Sequence, residues 1–220
     1  MPTKRKLRLG ILASGSGSNL QSLIDQCQAQ RIDAEIVLVL SNNPDSRALQ
    51  RAEQAGLNQT CINHRDFSDR QSFDQAVVAA LHAADVELVV LAGFMRIISE
   101  VFLAAFPQRI INIHPSLLPA FPGLHVQQKA LDYGARFSGC TVHFVDGGVD
   151  TGPIIAQAVV PILAGDTEAS LSARILQQEH KIYPHVIQLI AAGQVMVTGR
   201  QVQISNSSLD TTVLINPPIT

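Results

Sequence analysis

The sequence predicts an open α/β sheet, mostly parallel, with helices on both faces and an antiparallel C-terminal portion. Four runs are almost continuous in Ile, Leu and Val, as is typical of strands buried on both faces: "LRLGILAS", "AEIVLVLSN", "ELVVLAGF" and "RIINIH". Helical stretches separate these runs, and strands that alternate with helices indicate a parallel, Rossmann-like sheet.

Two of the helices in this first half are predicted from their apolar spacing and caps. Leu20, Leu23, Ile24 and Cys27 follow the i, i+3, i+4, i+7 spacing that places side chains on one helical face. The stretch "SFDQAVVAALHAADV" predicts another helix, with Asp69 or Ser72 as its N-terminal cap.

The pattern changes after about residue 116. The segment "HPSLLPAFPGLHV" contains three prolines and a glycine, which exclude a regular element. "CTVHFV" and "PIIAQAVVPI" predict two strands, and a long helix from about 170 to 192 follows, with a bend at Pro184. "VMVTGRQVQIS" predicts a closing hairpin that turns at Thr198-Gly199, and the final "NPPIT" a loose tail.

Length and composition narrow the class of protein. The 220 residues, 46% hydrophobic and 15% charged, predict a single domain over 1–220, with a phosphate-binding half at about 7–110 and a second half at about 111–205. The formal charge of -2 argues against a nucleic-acid partner, and the N-terminal apolar run is too short for a membrane span. Three widely spaced cysteines indicate reduced thiols, hence a cytoplasmic protein.

A Gly/Ser loop between the first strand and the first helix predicts an anion site. "GSGSN" lacks the Gly-Lys-Ser/Thr of a triphosphate loop, and Leu20 stands where a dinucleotide loop has its third glycine. The backbone N–H groups of Gly17, Ser18 and Asn19 would lie at a helix N-terminus, which suits one compact dianion such as a phosphate monoester. The same glycines could also serve only to make a tight turn.

Polar residues interrupt the apolar pattern at the carboxyl ends of strands, where open α/β sheets bind ligands. Asn112 and His114 are two residues apart and so face the same way on a strand. They can donate hydrogen bonds to a developing oxyanion and move a proton, or simply mark a strand end that meets solvent. Asp150, if its carboxylate reaches His114, would favour the imidazolium; alone it is an ordinary turn residue.

Two further charged residues are candidates for a ligand site. Glu179 points from the middle of an apolar helical stripe, so it either lines a pocket or pairs internally with Arg174 or Lys181. Arg96 follows the strand "ELVVLAGF", where it could bind a carboxylate or form an ordinary surface pair.

Taken together, long segments of the chain resemble the phosphoribosylglycinamide formyltransferase family. The resemblance runs from about Leu7 to about Ile204 and is carried by "GSGSNLQSLI", "VVLAGFMRIIS", "INIHPSLLPAFPGLH", "GCTVHFVDGGVDTGPIIAQAVVP" and "GDTEASLSARILQQEHKIYP". It implies the formyltransferase fold and transfer of the formyl group of 10-formyltetrahydrofolate to the primary amine of 5'-phosphoribosylglycinamide, a step of purine (IMP) biosynthesis.

The resemblance also implies residue roles. It makes His114, Asn112 and Asp150 the catalytic trio. It assigns substrate binding to Gly17, Ser18, Asn19, Pro115, Gln178 and Glu179. It assigns folate binding to Arg70, Met95, Arg96, Ile97, Ile98, Asn112, Asp146, Gly147, Gly148, Val149 and Asp150. Leu176 departs from the family by replacing a polar Gln near the substrate, and Gly147-Gly148 make the folate loop more flexible than usual.

The implied reaction needs oriented donors and a neutral-range acid, with no metal and no covalent nucleophile. Small molecules are then the only predicted partners, for a monomer or homodimer. Two alternatives are a formyltetrahydrofolate hydrolase and a methionyl-tRNA formyltransferase, each of which should have an additional domain. A nicotinamide oxidoreductase is the interpretation that the glycine loop alone would suggest. The last alternative is a non-catalytic phosphometabolite-binding module.

Overall fold

The computed structural model describes residues 5–205, 214 and 216. Its strands are β1 Leu7–Leu12, β2 Ala34–Ser41, β3 Gln59–Cys61, β4 Leu88–Leu91, β5 Ile110–His114, β6 Phe137–Phe144, β7 Ile154–Pro161, β8 Val195–Thr198 and β9 Gln201–Ile204. Its α-helices are α1 Ser18–Gln28, α2 Arg47–Gln54, α3 Arg70–Ala83, α4 Glu100–Ala105, α5 Val126–Tyr133 and α6 Glu168–Ala191. None of these helices is both long and apolar enough to cross a bilayer.

The predicted fold class is confirmed by the sheet. Seven strands lie in the order β3-β2-β1-β4-β5-β6-β7. The first five are parallel to their neighbours, whereas β6 runs antiparallel to β5 and β7 antiparallel to β6. Strands β8 and β9 form a separate antiparallel hairpin. Because β1, β4 and β5 are parallel neighbours, their carboxyl ends meet at one edge of the sheet.

Two hydrophobic clusters cover the two faces of the sheet. Along β4, Leu88 and Val90 belong to one cluster, while Val89 and Leu91 belong to the other, as the two-residue period of a strand requires. The first cluster is completed by apolar residues of α1, α2 and α6, the second by those of α3 and α4. The continuous apolar runs in the sequence are explained by this burial from both sides.

Local sequence determines where the main helices begin. Asp69 caps α3 by accepting a hydrogen bond from the backbone N–H of Ser72, so Asp69 rather than Ser72 is the cap. Thr167 and Ser170 form a reciprocal capping box at the start of α6. Helix α6 continues through Pro184, where the sequence predicts a bend.

The structure contains elements that the sequence pattern did not predict: α2, β3, α4 and α5. All are short, at most 8 residues, so their periodicity is weak.

The predicted hairpin turn is one residue early. Strand β8 includes Thr198, and the turn begins at Gly199, which has φ +60°. The predicted loose tail falls outside the described residues except for Asn216, whose amide donates to the carbonyls of Arg136 and Ile162.

Candidate active site

The three predicted catalytic residues lie together at the carboxyl end of β5. Asn112 and His114 come from that strand, and Asp150 comes from the loop after β6. His114 Nδ1 lies 3.3 Å from Asp150 Oδ2, and Asn112 Nδ2 lies 3.5 Å from Asp150 Oδ1. The side chains of His114 and Asp150 are only 6% and 13% exposed, which strengthens their electrostatic interaction.

A second histidine, His143, completes this cluster and was missed in the sequence. It faces Asn112 directly across the β5–β6 ladder, and its Nε2 lies 3.3 Å from Asn112 Nδ2. Its Nδ1 donates to the carbonyl of Phe144 at 2.7 Å, and burial lowers the pKa of His143. His143 is therefore a neutral acceptor that orients the Asn112 amide. The polar residue inside the apolar run "CTVHFV" was the available signal.

The Pro-rich segment after β5 contacts both His114 and Asp150. The backbone N–H of Gly123 donates to Asp150 Oδ2 at 2.9 Å. The carbonyl oxygen of Phe121 lies 3.0 Å from His114 Nε2. Asp150 itself has φ +55°, a left-handed conformation that Asp adopts more readily than most residues other than glycine.

The predicted anion loop joins β1 to α1. Its carbonyls are occupied from one side by α2: the carbonyl of Gly15 accepts from Ala48 N and Ser46 Oγ, and that of Ser16 accepts from Arg51 Nε. In a trans peptide the C=O and N–H groups point in opposite directions. The backbone N–H groups of Ser16 and Gly17, which follow these two carbonyls, therefore point away from α2.

Those amides line a concave site. A cavity of about 160 Å³ lies here, bounded by residues 14–19 and by Ala92, Gly93 and Met95. Gly17 precedes α1 with φ +67° and makes no side-chain cap, so the first N–H groups of the helix remain available. This arrangement of free amides at a helix N-terminus favours an anion of phosphate size.

Glu179 reaches the same loop from α6. Glu179 is 7% exposed and accepts a hydrogen bond of 2.7 Å from Asn19 Nδ2, while Asn19 Oδ1 is buried without a partner among the described residues. Burial raises the pKa of Glu179. The alternative internal ion pair is wrong, since Arg174 instead binds Asp166 at 2.7 Å and Lys181 is exposed. Gln178 is half-buried beside Glu179.

The predicted folate-binding residues come from four places in the chain: the stretch after β4, the start of α3, strand β5 and the loop after β6. Met95 and Ile97 are 69% and 56% exposed. Arg96 is half-buried with its guanidinium 5.2 Å from the centre of the Phe73 ring, and its Nε lacks a partner among the described residues. Ile98 is half-buried, and Arg70 at the start of α3 is exposed. Pro115, which the resemblance assigns to the substrate site, is half-buried after β5.

The loop 146–149 is held by its first residue. Asp146 Oδ1 accepts from the N–H of Gly148 at 3.1 Å and from the hydroxyl of Thr151 at 2.6 Å. A Cβ at Gly148 would lie 2.1 Å from Thr151 Oγ1, so a side chain there would displace Thr151. Gly147, Gly148 and Val149 are exposed. The loop is thus compact at Asp146 and open at its tip, adjacent to Asp150.

The predicted anion loop after β1 and the polar cluster around His114 are connected through the ends of neighbouring strands. Strands β1 and β5 flank β4, which separates their ends by about 10 Å. The backbone N–H of Met95, after β4, donates to Ser14 Oγ at 2.9 Å.

No group of three or more His, Cys, Asp or Glu side chains arranged for a metal ion occurs in the described part of the chain.

Comparison with known proteins assigns a family to this mixed sheet with its predicted anion loop and its polar cluster at a strand end. The family of formyl transferases matches residues 7–187, and this chain belongs to it. Phosphoribosylglycinamide formyltransferase of Escherichia coli is 43% identical over 188 residues, covering 86% of this chain and 89% of that protein. Glycinamide ribonucleotide transformylase 1 from Symbiobacterium toebii has a similar structure, with a TM-score of 0.90 and 49% identity over 91% of this chain and 94% of that one.

Similarity extends to a much longer protein. The trifunctional purine biosynthetic protein adenosine-3 of Drosophila melanogaster is 50% identical over 200 residues, which is 90% of this chain. The chain spans 15% of the length of that relative.

Proposed function

We propose that this protein transfers the formyl group of 10-formyltetrahydrofolate to the primary amine of 5'-phosphoribosylglycinamide. The observation that carries the proposal is the position of the Asn112–His114–Asp150 cluster beside an anion loop. Membership of the formyl transferase family and the similarity to phosphoribosylglycinamide formyltransferase of E. coli support it. The product is then the N-formyl ribonucleotide of purine biosynthesis.

The loop at Gly17, Ser18 and Asn19 would hold the phosphate of the ribonucleotide. Its amides and the α1 dipole supply favourable charge without a cation. Glu179 lies next to Asn19 and has acceptor oxygens for ribose hydroxyls, while Pro115 and Gln178 would complete the substrate site. With its phosphate in this loop, the substrate would extend across the distance between the ends of β1 and β5 and bring its amine near His114.

The formyl donor would lie on the other side of the cluster. Met95, Arg96, Ile97 and Ile98 offer an apolar and cationic strip, and Arg70 a second cation. Backbone groups of the loop Asp146, Gly147, Gly148 and Val149 lie next to Asp150 and can bind the polar ring edge of the folate. Asn112 and Asp150 would belong both to the folate site and to the catalytic cluster.

The chemistry requires no covalent intermediate with the protein. The amine nitrogen attacks the formyl carbon, a new C–N bond forms, and negative charge develops on the formyl oxygen. Asn112 Nδ2 and His114 would stabilise that oxygen, since the 3.5 Å contact of Asn112 with Asp150 is long enough to be exchanged. The bond to folate N10 then breaks as the amine loses a proton and N10 gains one, with His114, oriented by Asp150, as the group that moves the proton.

The decisive experiment measures deformylation of a 10-formyl folate by the purified protein with and without phosphoribosylglycinamide. Turnover that depends strictly on the ribonucleotide supports the proposal. Turnover in its absence would indicate a hydrolase, and no turnover in either case would overturn the catalytic role of the cluster. The expected partners are these small molecules, for a monomer or homodimer in the cytoplasm.

A further inference from the structure

Helix α2 packs against three successive residues of the predicted anion loop, residues 14–19. At Gly15, the carbonyl accepts from Ala48 N at 3.2 Å. At Gly17, a Cβ would lie 2.8 Å from the Cα of Ala48, so the two backbones are in close contact. Between these two points, the carbonyl of Ser16 accepts from Arg51 Nε at 2.9 Å. The guanidinium of Arg51 therefore contacts the loop at its centre.

The hydrogen bond from Arg51 acts on a single peptide group. The carbonyl of Ser16 and the N–H of Gly17 belong to the same peptide and point in opposite directions. A cation on the carbonyl side therefore leaves the N–H directed toward the cavity that the loop lines. Because hydrogen bonds in a chain polarise one another, the Gly17 N–H also becomes a stronger donor.

The same guanidinium is tied to the first turn of α1. Arg51 Nη1 donates to Gln21 Oε1 at 3.0 Å. The backbone N–H of Gln21 in turn donates to the carbonyl of Gly17 at 2.9 Å. Arg51, which is half-buried, thus holds the loop in place relative to the helix whose first N–H groups face the same site.

The charge of Arg51 is not neutralised by a neighbour. Arg51 forms no ion pair with any residue that the structure describes. On the other side of the loop, Glu179 accepts from Asn19 at 2.7 Å, and an ionised carboxylate there opposes the binding of a phosphate. Within the described residues, Arg51 is the one cationic side chain that donates a hydrogen bond to the loop. Its charge therefore favours an anion where Glu179 disfavours one.

We propose that Arg51 is a positioning residue for the substrate phosphate. Without touching the phosphate, it acts through the Ser16–Gly17 peptide, where it fixes and strengthens the N–H donor and supplies a positive charge that offsets Glu179. The inference rests on the phosphate-binding part of the proposed function. It does not depend on formyl transfer.

Binding of ribose 5-phosphate tests the role of Arg51 without any assay of turnover. Two-dimensional ¹H–¹⁵N spectra of the full chain follow the backbone amides of Gly17 and Ser18 during a titration and give a Kd. We expect Arg51→Gln, which removes the charge but keeps a side-chain donor, to raise this Kd about fivefold. An Arg51→Gln Kd equal to that of the wild type would overturn the proposal. Absence of any shift in the wild type would overturn both the anion loop and the role of Arg51.

Arg31→Gln is the matched control. Arg31 also donates through Nε to a neutral side-chain oxygen, Gln26 Oε1 at 2.7 Å, but it follows the opposite end of α1. The 11 residues of α1 place it about 16 Å from the loop. We expect Arg31→Gln to keep the wild-type Kd. An equal loss in both arginine variants would show a general effect of net charge and contradict the proposal.

Two further comparisons separate charge from mere structural support. Arg51→Lys retains the charge and should lose less affinity than Arg51→Gln; an equal loss would overturn the role of the charge. Raising NaCl from about 0.02 M to about 0.5 M should bring the Kd values of wild type and Arg51→Gln closer together, because salt screens the interaction. A ratio that stays constant with salt would show that the substitution only disturbs the loop.

Kinetics connect this role with the proposed function. With 10-formyltetrahydrofolate and phosphoribosylglycinamide, we expect Arg51→Gln to raise the KM for the ribonucleotide about fivefold, with kcat and the KM for the folate within about twofold of wild type. A fall in kcat at unchanged KM would contradict the proposal. Phosphate binding that depends on Arg51 in a protein without formyl transfer would reject the proposed function alone. Formyl transfer with phosphate binding independent of Arg51 would reject this inference alone.

Discussion

The predicted anion loop and the proposed catalytic cluster lie at the same edge of the sheet but are built in opposite ways. The loop, residues 14–19, is one short stretch of chain that presents backbone amides. The cluster gathers Asn112 and His114 from β5, His143 from β6 and Asp150 from the following loop. The loop depends on backbone conformation, whereas the cluster depends on side chains brought together by an antiparallel strand pair.

Because of this difference, the two regions respond differently to substitution. A backbone site is damaged by any Cβ that the backbone cannot accommodate, which weakens both folding and binding. A side-chain site tolerates replacement structurally but loses its chemistry. We therefore expect variants in the loop to change stability and KM, and variants in the cluster to change kcat.

The largest effect is expected from His114→Ala, which removes the group proposed to transfer the proton. We predict a fall in kcat of about 10²–10⁴-fold in steady-state assays, with little change in KM for the ribonucleotide. His185→Ala, an exposed histidine on α6, serves as the control and should retain wild-type rates. A His114→Ala enzyme with near-wild-type kcat would favour a binding module over an enzyme.

Gly17→Ala should give the next largest effect, on stability and ribonucleotide KM. The new Cβ would lie 2.8 Å from the Cα of Ala48, at a residue with φ +67°. Strain and overlap together should lower the free energy of unfolding by about 2–4 kcal/mol in urea titrations.

Two other glycines separate these causes. Gly56 has φ +68° but open space around its Cβ position, so Gly56→Ala should cost about 1–2 kcal/mol from strain alone. Gly15 has neither problem, and Gly15→Ala should stay within about 0.5 kcal/mol of wild type. Equal losses in all three variants would refute the backbone explanation.

Gly148→Ala tests whether the folate loop depends on its backbone, as the anion loop does. Its Cβ would displace Thr151 Oγ1, which binds Asp146, and so disturb the loop that carries Asp150. We predict a loss of kcat/KM of about tenfold toward the formyl donor. Gly147→Ala meets only the flexible Glu100 side chain, at 3.1 Å, and should lose less. The reverse order would show that Thr151 does not support the loop.

The smallest effect concerns pH and Glu179. Burial raises the pKa of Glu179, so between its ordinary and its raised value the folded protein binds a proton that the unfolded chain does not. Stability from this group is therefore lost as pH rises through that window. Urea unfolding of Glu179→Gln at several pH values should show a flatter profile, while the exposed control Glu53→Gln should keep the wild-type slope. A wild-type slope in Glu179→Gln would contradict this assignment.

Much of the sheet was predictable because strands buried on both faces leave continuous apolar runs. The runs that contain β1, β2, β4 and β5 stood out for this reason. The same reasoning placed Glu179 in the interior, since it interrupts an apolar helical stripe. Its partner was not predictable, because Asn19 is 160 residues away along the chain. His143 was missed because its role depends on the register of β6 against β5.

Local features follow from the sequence alone: the glycine turn before α1, the capped start of α3 at Asp69 or Ser72, the alternation of strands and helices, and the family resemblance. Long-range contacts depend on the folded chain: Glu179 binds Asn19 rather than Arg174, His143 faces Asn112, and Phe121 contacts His114 Nε2. The two sets of features differ in the distance along the chain over which they are determined. Turns and caps follow from residues a few positions apart, whereas strand register and the backbone of a Pro-rich loop are set by packing across the whole sheet.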